Sequence, residues 1–292
     1  MDIIDSPINY SGNKFKLMNF IRPLFPENIN TFYDLCCGGG SVSVNVKANK
    51  IIANDINTFV LDILKYFKEN DANKTINEIE NIIAIHKLSK HSKETYNKFR
   101  YYYNNVEKTP INLFVLSCFS FNYQFRFNSK GEYNNASGFM CNEYNKRIAD
   151  NIINFSNRLN KVTFTNKNIF DIDFNCISKD DFVYVDPPYS NSTASYNDNR
   201  GFFGGWDVDD DTRLFKTLDY LHHMGVKWAM SNAFVNNGFE NYGLIKWANK
   251  YNIHKMTHRS YNSNYQRKSR NKTTEVFITN YDTNKEEQLR LF

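Results

Sequence analysis

"TFYDLCCGGGSVSVNVKANKIIANDIN", residues 31–57, is the stretch that most strongly indicates the fold. Residues 31–35 have the pattern of a short strand, three consecutive glycines follow as a tight turn, and residues 42–46 begin what we expect to be a helix. A second apolar strand at residues 51–53 ends at Asp55, and a helical stripe follows it. Strand, glycine turn, helix, strand, acid and helix, in this order, predict the opening of a doubly wound α/β sheet.

The rest of the chain divides into a helical insertion and a return to strands. Apolar runs place the later strands at residues 162–166, 182–186, 228–231, 253–257 and 275–279. Before them, apolar residues of 70–160 recur at helical spacing, and Thr109-Pro110 is a good N-cap and first-turn pair for one helix. Alternation on both sides of residues 128–131 predicts a β-hairpin within this segment. We therefore predict one sheet domain interrupted by an insertion over residues 70–160.

The composition indicates a soluble globular protein. The chain has 292 residues, of which 41% are hydrophobic and 16% aromatic, which is ample for a packed core. No run approaches the roughly 18 apolar residues that span a bilayer. The N-terminus, with Asp2 and Asp5, lacks the basic and then apolar pattern of a signal peptide. We expect a cytoplasmic protein, without membrane association, that acts as a monomer.

Cysteine and acid patterns indicate neither a disulfide framework nor a metal site. The five cysteines, at 36, 37, 118, 141 and 176, are odd in number and never spaced C-x-x-C. The cluster Asp209-Asp210-Asp211 has the pattern of a helix start, with Leu214 and the following leucines on one face. We therefore expect reduced thiols and no metal.

The charge is informative through its distribution, because the net charge of +5 is too small to diagnose nucleic-acid binding. The segment 255–274 contains no acid, and its basic residues are interleaved with Tyr261 and Tyr265. Such a segment suits phosphate and sugar contacts, and it equally suits a solvated loop.

A glycine-rich turn after the first strand and an acid after the second are typical of a nucleoside site. The turn at Gly38 is not the G-x-G-x-x-G fingerprint that cradles a pyrophosphate. Asp34 instead stands where a cationic amino group can pair with it, and Asp55 is placed to accept hydrogen bonds from ribose hydroxyls. S-adenosylmethionine has a ribose, an ammonium and no phosphate, so it fits this pattern better than a nicotinamide dinucleotide does.

The second informative stretch is "VYVDPPYS", residues 183–190, in which a buried strand meets one acid and two prolines. Proline carries no N–H and cannot extend the strand ladder. The Asp186 carboxylate and the Pro187 carbonyl are then fixed as two acceptors, Pro188 stiffens the turn, and the Tyr189 ring lies alongside. Two acceptors and a ring suit an exocyclic amine on a base, which would be flipped out of a duplex to reach them.

Taken in order, these motifs resemble those of the Dam-type (D12 class, alpha group) adenine-N6 DNA methyltransferases over nearly the whole chain. The matching stretches are "NYSGNK" (9–14), "YDLCCGGGSVSVNV" (33–46), "ANDIN" (53–57), "FRFNSKGEYN" (125–134), "VYVDPPY" (183–189) and "YNSNYQRKSRNKTTEVFITNY" (261–281). The resemblance implies a Rossmann-like S-adenosylmethionine-dependent sheet, residues 1–69 and 161–292, with a target-recognition domain, residues 70–160, that carries the hairpin. It also implies double-stranded DNA as substrate, with a GATC-like sequence as one candidate, and a cognate restriction endonuclease as a functional partner.

The resemblance assigns roles to individual residues. It implies cofactor contacts from Tyr10, Lys14, Asp34, Cys36, Gly38, Gly40, Asp55, Phe170 and Asp186, and catalysis by Asp186, Pro187, Pro188 and Tyr189. It implies DNA contacts from Phe121, Asn122, Arg126, Asn262, Arg267, Lys268 and Arg270, with Arg126 reading a guanine and Phe121 intercalating. Departures lie on the recognition side, where Cys118 replaces a common arginine and Asn135-Ala-Ser-Gly138 replaces Val-Pro-Phe-Gly.

Purely structural roles for some of these residues, and other functions for the protein, also fit the sequence. Asp55 also suits a helix N-cap, Arg126 an exposed arginine, and Phe121 a core position. An amine methyltransferase acting on RNA or a protein amide uses a similar four-residue motif, although usually with Asn first and without an inserted hairpin. A catalytically inactive DNA-binding protein on the same fold is the rival from another class.

Overall fold

The structure, a computed structural model, describes residues 2–191, 205–256 and 273–283. Its described part is built on a mixed sheet of eight strands in the order β3-β2-β1-β4-β5-β8-β7, with β6 also paired to β5. The strands are β1 Thr31–Asp34, β2 Lys50–Asn54, β3 Val162–Thr165, β4 Phe182–Val185, β5 Lys227–Asn236, β6 Phe239–Glu240, β7 Asn252–Met256 and β8 Thr274–Thr279. The strands that the sequence predicts outside the hairpin are confirmed, and β6 is the described strand that it misses.

The strand directions place a crevice between β1 and β4. Strands β3, β2, β1, β4 and β5 are parallel, whereas β8 runs antiparallel to both β5 and β7. From β1 the chain moves outward through β2 to β3, and then returns to β4 on the other side of β1. Ligands of open α/β sheets bind outside the carboxyl ends of the strands at such a switch point. Asp34 ends β1 and Asp186 follows β4, so both acids lie at this edge.

Helices cover both faces of the sheet, which makes the fold a three-layer α/β arrangement. The helices are α1 Met18–Ile21, α2 Thr58–Glu69, α3 Ala72–Ile85, α4 Lys93–Asn105, α5 Pro110–Cys118, α6 Lys146–Ser156, α7 Val208–His223 and α8 Tyr242–Ala248. Short 3₁₀ turns occupy Phe15–Leu17, Arg22–Leu24, Phe121–Tyr123, Leu159–Lys161, Ile169–Asp171 and Phe174–Cys176. The predicted N-cap Thr109 accepts a hydrogen bond from the Asn112 N–H at 3.4 Å.

Alternation along the strands divides the core between the two faces. In β4, Phe182 and Tyr184 join the cluster that packs against α1 to α6, whereas Val183 and Val185 join the cluster under α7 and α8. A strand whose residues are buried on both sides is continuously apolar, as this one is. Helices α3 to α6 follow α2 in the chain and share its core, with Phe67 of α2 edge-on to Phe114 of α5 at 5.0 Å.

Two local predictions need correction. Residues 42–45 form turns and Val46 is irregular, where a helix is predicted. The Asn45 side chain there accepts from the Ile4 N–H at 2.8 Å and donates to the Ile4 and Ser41 carbonyls, bonds that compete with a helical ladder. The predicted hairpin is short, because one bridge between Phe127 and Tyr133 closes it around the turn at Gly131 (φ 72°). Helix α8 was also missed, since its seven residues carry no repeated apolar stripe.

None of the described helices has the length and apolar character that a bilayer-spanning helix needs.

One carboxylate joins the two helices on the α7 face. Asp219 of α7 accepts hydrogen bonds from the Trp247 indole N–H at 2.9 Å and the Tyr251 hydroxyl at 2.6 Å. The Lys250 ammonium lies 2.7 Å from its other oxygen. Burial alone would raise the pKa of Asp219, but the three donors outweigh burial and lower it. The ionised form is therefore the one that the folded state stabilises.

We expect Asp219→Asn to lose about 1–3 kcal/mol of unfolding free energy at pH 7, because it removes hydrogen bonds to a charged acceptor. The folded-state pKa is below the unfolded value, so this contribution is present above the unfolded pKa and is lost as the pH falls through the folded one. Urea unfolding of both proteins between pH 7 and pH 3 measures it. A difference in stability that stays constant with pH would contradict the assignment.

Candidate functional site

A cavity of about 530 Å³ opens at the carboxyl ends of β1 and β4. Its volume is within the range of roughly 300–1,000 Å³ typical of small-molecule sites. The cavity brings together these residues that the sequence singles out: Tyr10, Lys14, Asp34, Cys36, Gly38, Asp55, Phe170, Asp186, Pro187, Pro188 and Tyr189. Gly40 is not part of this lining. A β-carbon at position 40 would face Phe155 at 3.1 Å and Leu64 at 3.6 Å, so this glycine serves the packing below the turn.

An ion pair occupies the centre of the D-P-P-Y corner. The Lys14 ammonium lies 2.7 Å from the Asp186 carboxylate and also donates to the Gly12 carbonyl at 2.9 Å. The Tyr189 hydroxyl lies 3.4 Å from the other Asp186 oxygen, and the Lys14 nitrogen is 5.6 Å from the Tyr189 ring centre. Lys14 is only 5% exposed. The N-terminal loop therefore supplies the counter-charge for the acid that ends β4.

Burial and Lys14 act on Asp186 in opposite directions. Burial raises the pKa of Asp186, the Lys14 ammonium lowers it, and the carboxylate of Glu275 on β8 raises it again. The net effect is a raised pKa. Lys14 thus opposes the effect of burial only in part, and the Asp186 carboxylate is a better proton acceptor than an ordinary aspartate.

Asp34 is a second buried acid of the cavity, at 1% exposure. One carboxylate oxygen accepts from the Ser43 hydroxyl at 2.6 Å, and the other has no hydrogen-bond partner among the described residues. Burial raises the pKa of Asp34 to about 7; the Ser43 bond lowers it, and the carboxylates of Asp186 and Asp55 raise it. Leaving a buried acceptor without a hydrogen-bond donor costs free energy, and a cationic donor would stabilise it most strongly.

The glycine turn is held against the end of β2 by Asp55. One Asp55 oxygen accepts from the Gly38 N–H at 2.8 Å and the other from the Asn57 N–H at 2.9 Å. The N-cap of α2 is Asn57, which accepts from the Val60 N–H, so capping this helix does not require Asp55. Burial raises the pKa of Asp55. Burial, with the carboxylates of Asp55, Asp34 and Asp186, raises the pKa of Cys36 and keeps this thiol neutral.

Aromatic rings form the wall of the cavity beyond β3. The Phe170 ring stacks on the Trp206 ring with a centroid distance of 5.8 Å, and the Arg213 guanidinium lies 3.9 Å from the centre of the Phe170 ring. The sequence predicts Phe170 as a residue of this site, but it does not predict Trp206. The only sequence signal for Trp206 was its place between two glycines and the acidic start of α7.

Three residues that the sequence predicts to contact DNA, Phe121, Asn122 and Arg126, lie after α5. Phe121 is 47% exposed and is therefore not a core residue, and Arg126 is exposed as well. Asn122 has a left-handed backbone (φ 53°) within the 3₁₀ turn. Buried Asn135 supports this turn through bonds from its amide to the carbonyls of Phe121 at 3.0 Å and Gln124 at 2.9 Å.

Two further observations concern the recognition side. Cys118 is 2% exposed at the end of α5, so the residue that replaces a common arginine belongs to the core. The predicted DNA contacts Asn262, Arg267, Lys268 and Arg270 lie outside the described residues.

Comparison with known proteins identifies the family. Residues 10–261 match the model of the D12 class N6 adenine-specific DNA methyltransferases. The chain belongs to this family.

Three of its curated relatives are named type II methyltransferase or modification methylase. The chain is 42% identical over 280 residues to the type II methyltransferase M.FokI of Planomicrobium okeanokoites, covering 95% of this chain and 43% of that protein. It is 40% identical to the modification methylase StsI of Streptococcus sanguinis (96% and 43% covered) and 34% identical to the modification methylase LlaI of Lactococcus lactis subsp. lactis (95% and 44% covered). The chain thus spans less than half the length of these three relatives.

Substitution of Gly38 tests the close packing of the turn. Gly38 has φ +49°, and a β-carbon there would lie 2.7 Å from the Tyr10 ring, whereas Gly225 has φ +77° with nothing within 4 Å. Both alanine variants should lose about 1–2 kcal/mol through the left-handed backbone. Gly38→Ala should lose about 1–3 kcal/mol more, because the Tyr10 ring must move. Urea unfolding measures both losses, and equal losses would show that Tyr10 does not pack on this turn.

Proposed function

We propose that this chain transfers the methyl group of S-adenosylmethionine to the N6 amine of adenine in a short double-stranded DNA sequence, with the target base flipped out of the duplex. The observation that carries the proposal is the buried Lys14–Asp186 pair in the same cavity as the unpartnered Asp34 oxygen. We also propose that residues 1–69 and 161–292 form the catalytic domain and residues 70–160 the recognition domain. A GATC-like sequence is one candidate target.

The cavity residues fit S-adenosylmethionine group by group. The free oxygen of Asp34 suits the ammonium and Asp55 suits the ribose hydroxyls, while the missing side chain of Gly38 makes room for the Tyr10 ring. Phe170 and Trp206 line the cavity and suit packing against the adenine. Tyr10 and Lys14 enclose the ligand from the N-terminal loop. No phosphate-binding glycine motif is present in this turn, which disfavours a dinucleotide.

The chain's own residues prepare the target amine for the transfer. S-adenosylmethionine, when bound, would supply an electrophilic methyl group, and its sulfur would take the electron pair of the carbon–sulfur bond as N6 bonds to the methyl carbon. The lone pair of N6 is delocalised into the ring, so the amine is a poor nucleophile. The Asp186 carboxylate and the Pro187 carbonyl each accept one N6 hydrogen and draw the nitrogen toward sp³ character. Asp186, with its raised pKa, is placed to take the proton that N6 loses.

Recognition of DNA rests on the insertion and on the basic segment near the C-terminus. Exposed Arg126 can donate two hydrogen bonds to guanine, and the exposed ring of Phe121 can enter the base stack. Asn122, Asn262, Arg267, Lys268 and Arg270 complete the proposed contacts. The inserted segment and the aspartate that begins D-P-P-Y favour DNA over RNA or a protein amide, and the complete set of Asp186, Tyr189 and Asp55 disfavours an inactive DNA-binding protein.

The biological role we propose is protection of host DNA in the cytoplasm against a cognate restriction endonuclease, with the chain acting as a monomer. The support for it is the similarity to proteins named modification methylases. The two rivals would be revealed by labelled transfer to RNA instead of duplex DNA, or by cofactor binding without any transfer.

Replacement of Asp186 tests the mechanism. Asp186→Ala should lower kcat for methyl transfer to duplex DNA by at least about 10²-fold, because one of the two N6 acceptors is lost. Binding of S-adenosylmethionine, measured by calorimetry, should persist. Asp180→Ala, an exposed acid at the opposite edge of the sheet, is the matched control and should transfer normally. Full activity of the Asp186 variant would remove the mechanism.

The pH dependence of cofactor affinity tests Asp34. With a pKa of about 7, this carboxyl is mostly neutral at pH 5.5 and about half ionised at pH 7. Since the ionised form pairs with the ammonium, affinity for S-adenosylmethionine should rise roughly tenfold between these pH values. Asp34→Asn should bind weakly, without this rise. Methylthioadenosine, which lacks the ammonium, is the matched control ligand, and the same rise with it would contradict the pairing.

A further inference from the structure

Asp211, in the first turn of α7, is a buried carboxylate that the proposed mechanism leaves without a role. It is 3% exposed. One oxygen accepts from the Trp206 indole N–H at 2.7 Å. The other accepts from the Ser190 hydroxyl and from the Asn241 amide at 3.0 Å. Burying a carboxylate costs free energy unless hydrogen-bond donors surround it. The three donors around Asp211 offset this cost.

The start of helix α7 does not require Asp211. Asp207 is the N-cap and forms a capping box with Asp210. Asp209 is exposed in the same turn and is available to the helix dipole. The side chain of Asp211 instead points into the protein and receives bonds from three other segments of the chain.

Each partner of Asp211 belongs to a different part of the site. Ser190 directly follows the Asp186–Tyr189 motif. Trp206 lines the cavity and stacks on Phe170. Asn241 caps α8 by accepting from the Leu244 N–H at 2.9 Å, and its amide also lies 3.2 Å from the Ser190 hydroxyl. Asp211 thus joins the exit of the D-P-P-Y motif to the aromatic wall of the cavity.

The bond to Trp206 also fixes the orientation of the wall. An indole has a single N–H donor, so a bond of 2.7 Å to Asp211 orients the ring in its plane. The Phe170 ring lies nearly parallel to it, at an interplanar angle of 21°. The part of the cavity that we assign to the cofactor's adenine therefore depends on Asp211 through Trp206.

We propose that Asp211 is a positioning residue that holds two parts of the active site at once. Its hydrogen bond to Trp206, which we call the Trp206 arm, orients the aromatic wall and thereby determines the affinity for the nucleoside cofactor. Its hydrogen bond from Ser190, which we call the Ser190 arm, fixes the turn after Tyr189 and thereby determines where the target base lies. This inference rests on the proposed methyl transfer and adds to it a residue that links the two binding sites.

The two arms can be separated by substitution. Trp206→Phe keeps an aromatic ring but removes the N–H, and it should weaken S-adenosylmethionine binding by about tenfold with a smaller change in kcat. Ser190→Ala should lower kcat by about tenfold and leave cofactor affinity nearly unchanged. Asp211→Ala should produce both effects. The matched control is Asp209→Asn, which should produce neither.

Calorimetry of cofactor binding and single-turnover methylation of duplex DNA give the two readouts. Adding Trp206→Phe to Asp211→Ala should have no further effect on affinity, because the shared bond is already absent. If Asp211→Ala fails to fold, the two arm variants still decide, since both retain the acid. A common loss of thermal stability without the split between affinity and kcat, or additive effects in the double variant, would overturn the inference. Absence of cofactor binding and transfer in the unsubstituted protein would instead overturn the proposed function.

Discussion

The buried ion pair between Lys14 and Asp186 is the interaction on which the arrangement of the cavity depends. Three carboxylates, those of Asp34, Asp55 and Asp186, line one cavity, and Lys14 is the cation in hydrogen-bond contact with one of them. Burial in a poorly solvated site disfavours each charge, and the acids repel one another. Lys14 comes from the N-terminal loop, far in sequence from β4, so the loop must close onto the sheet before the site has its electrostatic form.

The electrostatics divide the acids between two tasks. Asp186 has the Lys14 ammonium 2.7 Å away, and this cation opposes the rise in pKa that burial causes. Asp34 accepts a side-chain hydrogen bond from the Ser43 hydroxyl, and burial raises its pKa. A bound cation would stabilise the ionised form of this carboxyl. Asp55 accepts hydrogen bonds from two backbone N–H groups, so it holds the turn in place as well as lining the cavity. Similar side chains at neighbouring strand ends thus acquire different chemistry from their surroundings.

The proposed insertion shares the main core, which supports the turn that carries the proposed DNA contacts. Phe114 of α5 packs on Phe67 of α2, and the Tyr96 hydroxyl of α4 holds the Asn135 carbonyl at 2.9 Å. Asn135 in turn fixes the carbonyls on both sides of Asn122. The exposed residues Phe121 and Arg126 therefore project from a supported loop. This agrees with the departures from the family pattern, since Cys118 and Asn135 face inward and support packing.

The sequence by itself determined the order of the main strands along the chain and singled out eleven of the residues that line the cavity, because these follow from hydrophobic period and from motifs at strand ends. It did not determine the segment 42–46, where the Asn45 side chain competes with a helical ladder. Only the tertiary structure decided that Lys14 pairs with Asp186, that Gly40 serves packing, and that Asp211 binds Ser190 and Trp206. The physical reason is that burial and long-range hydrogen bonds arise between segments distant in sequence, and local patterns carry no record of them.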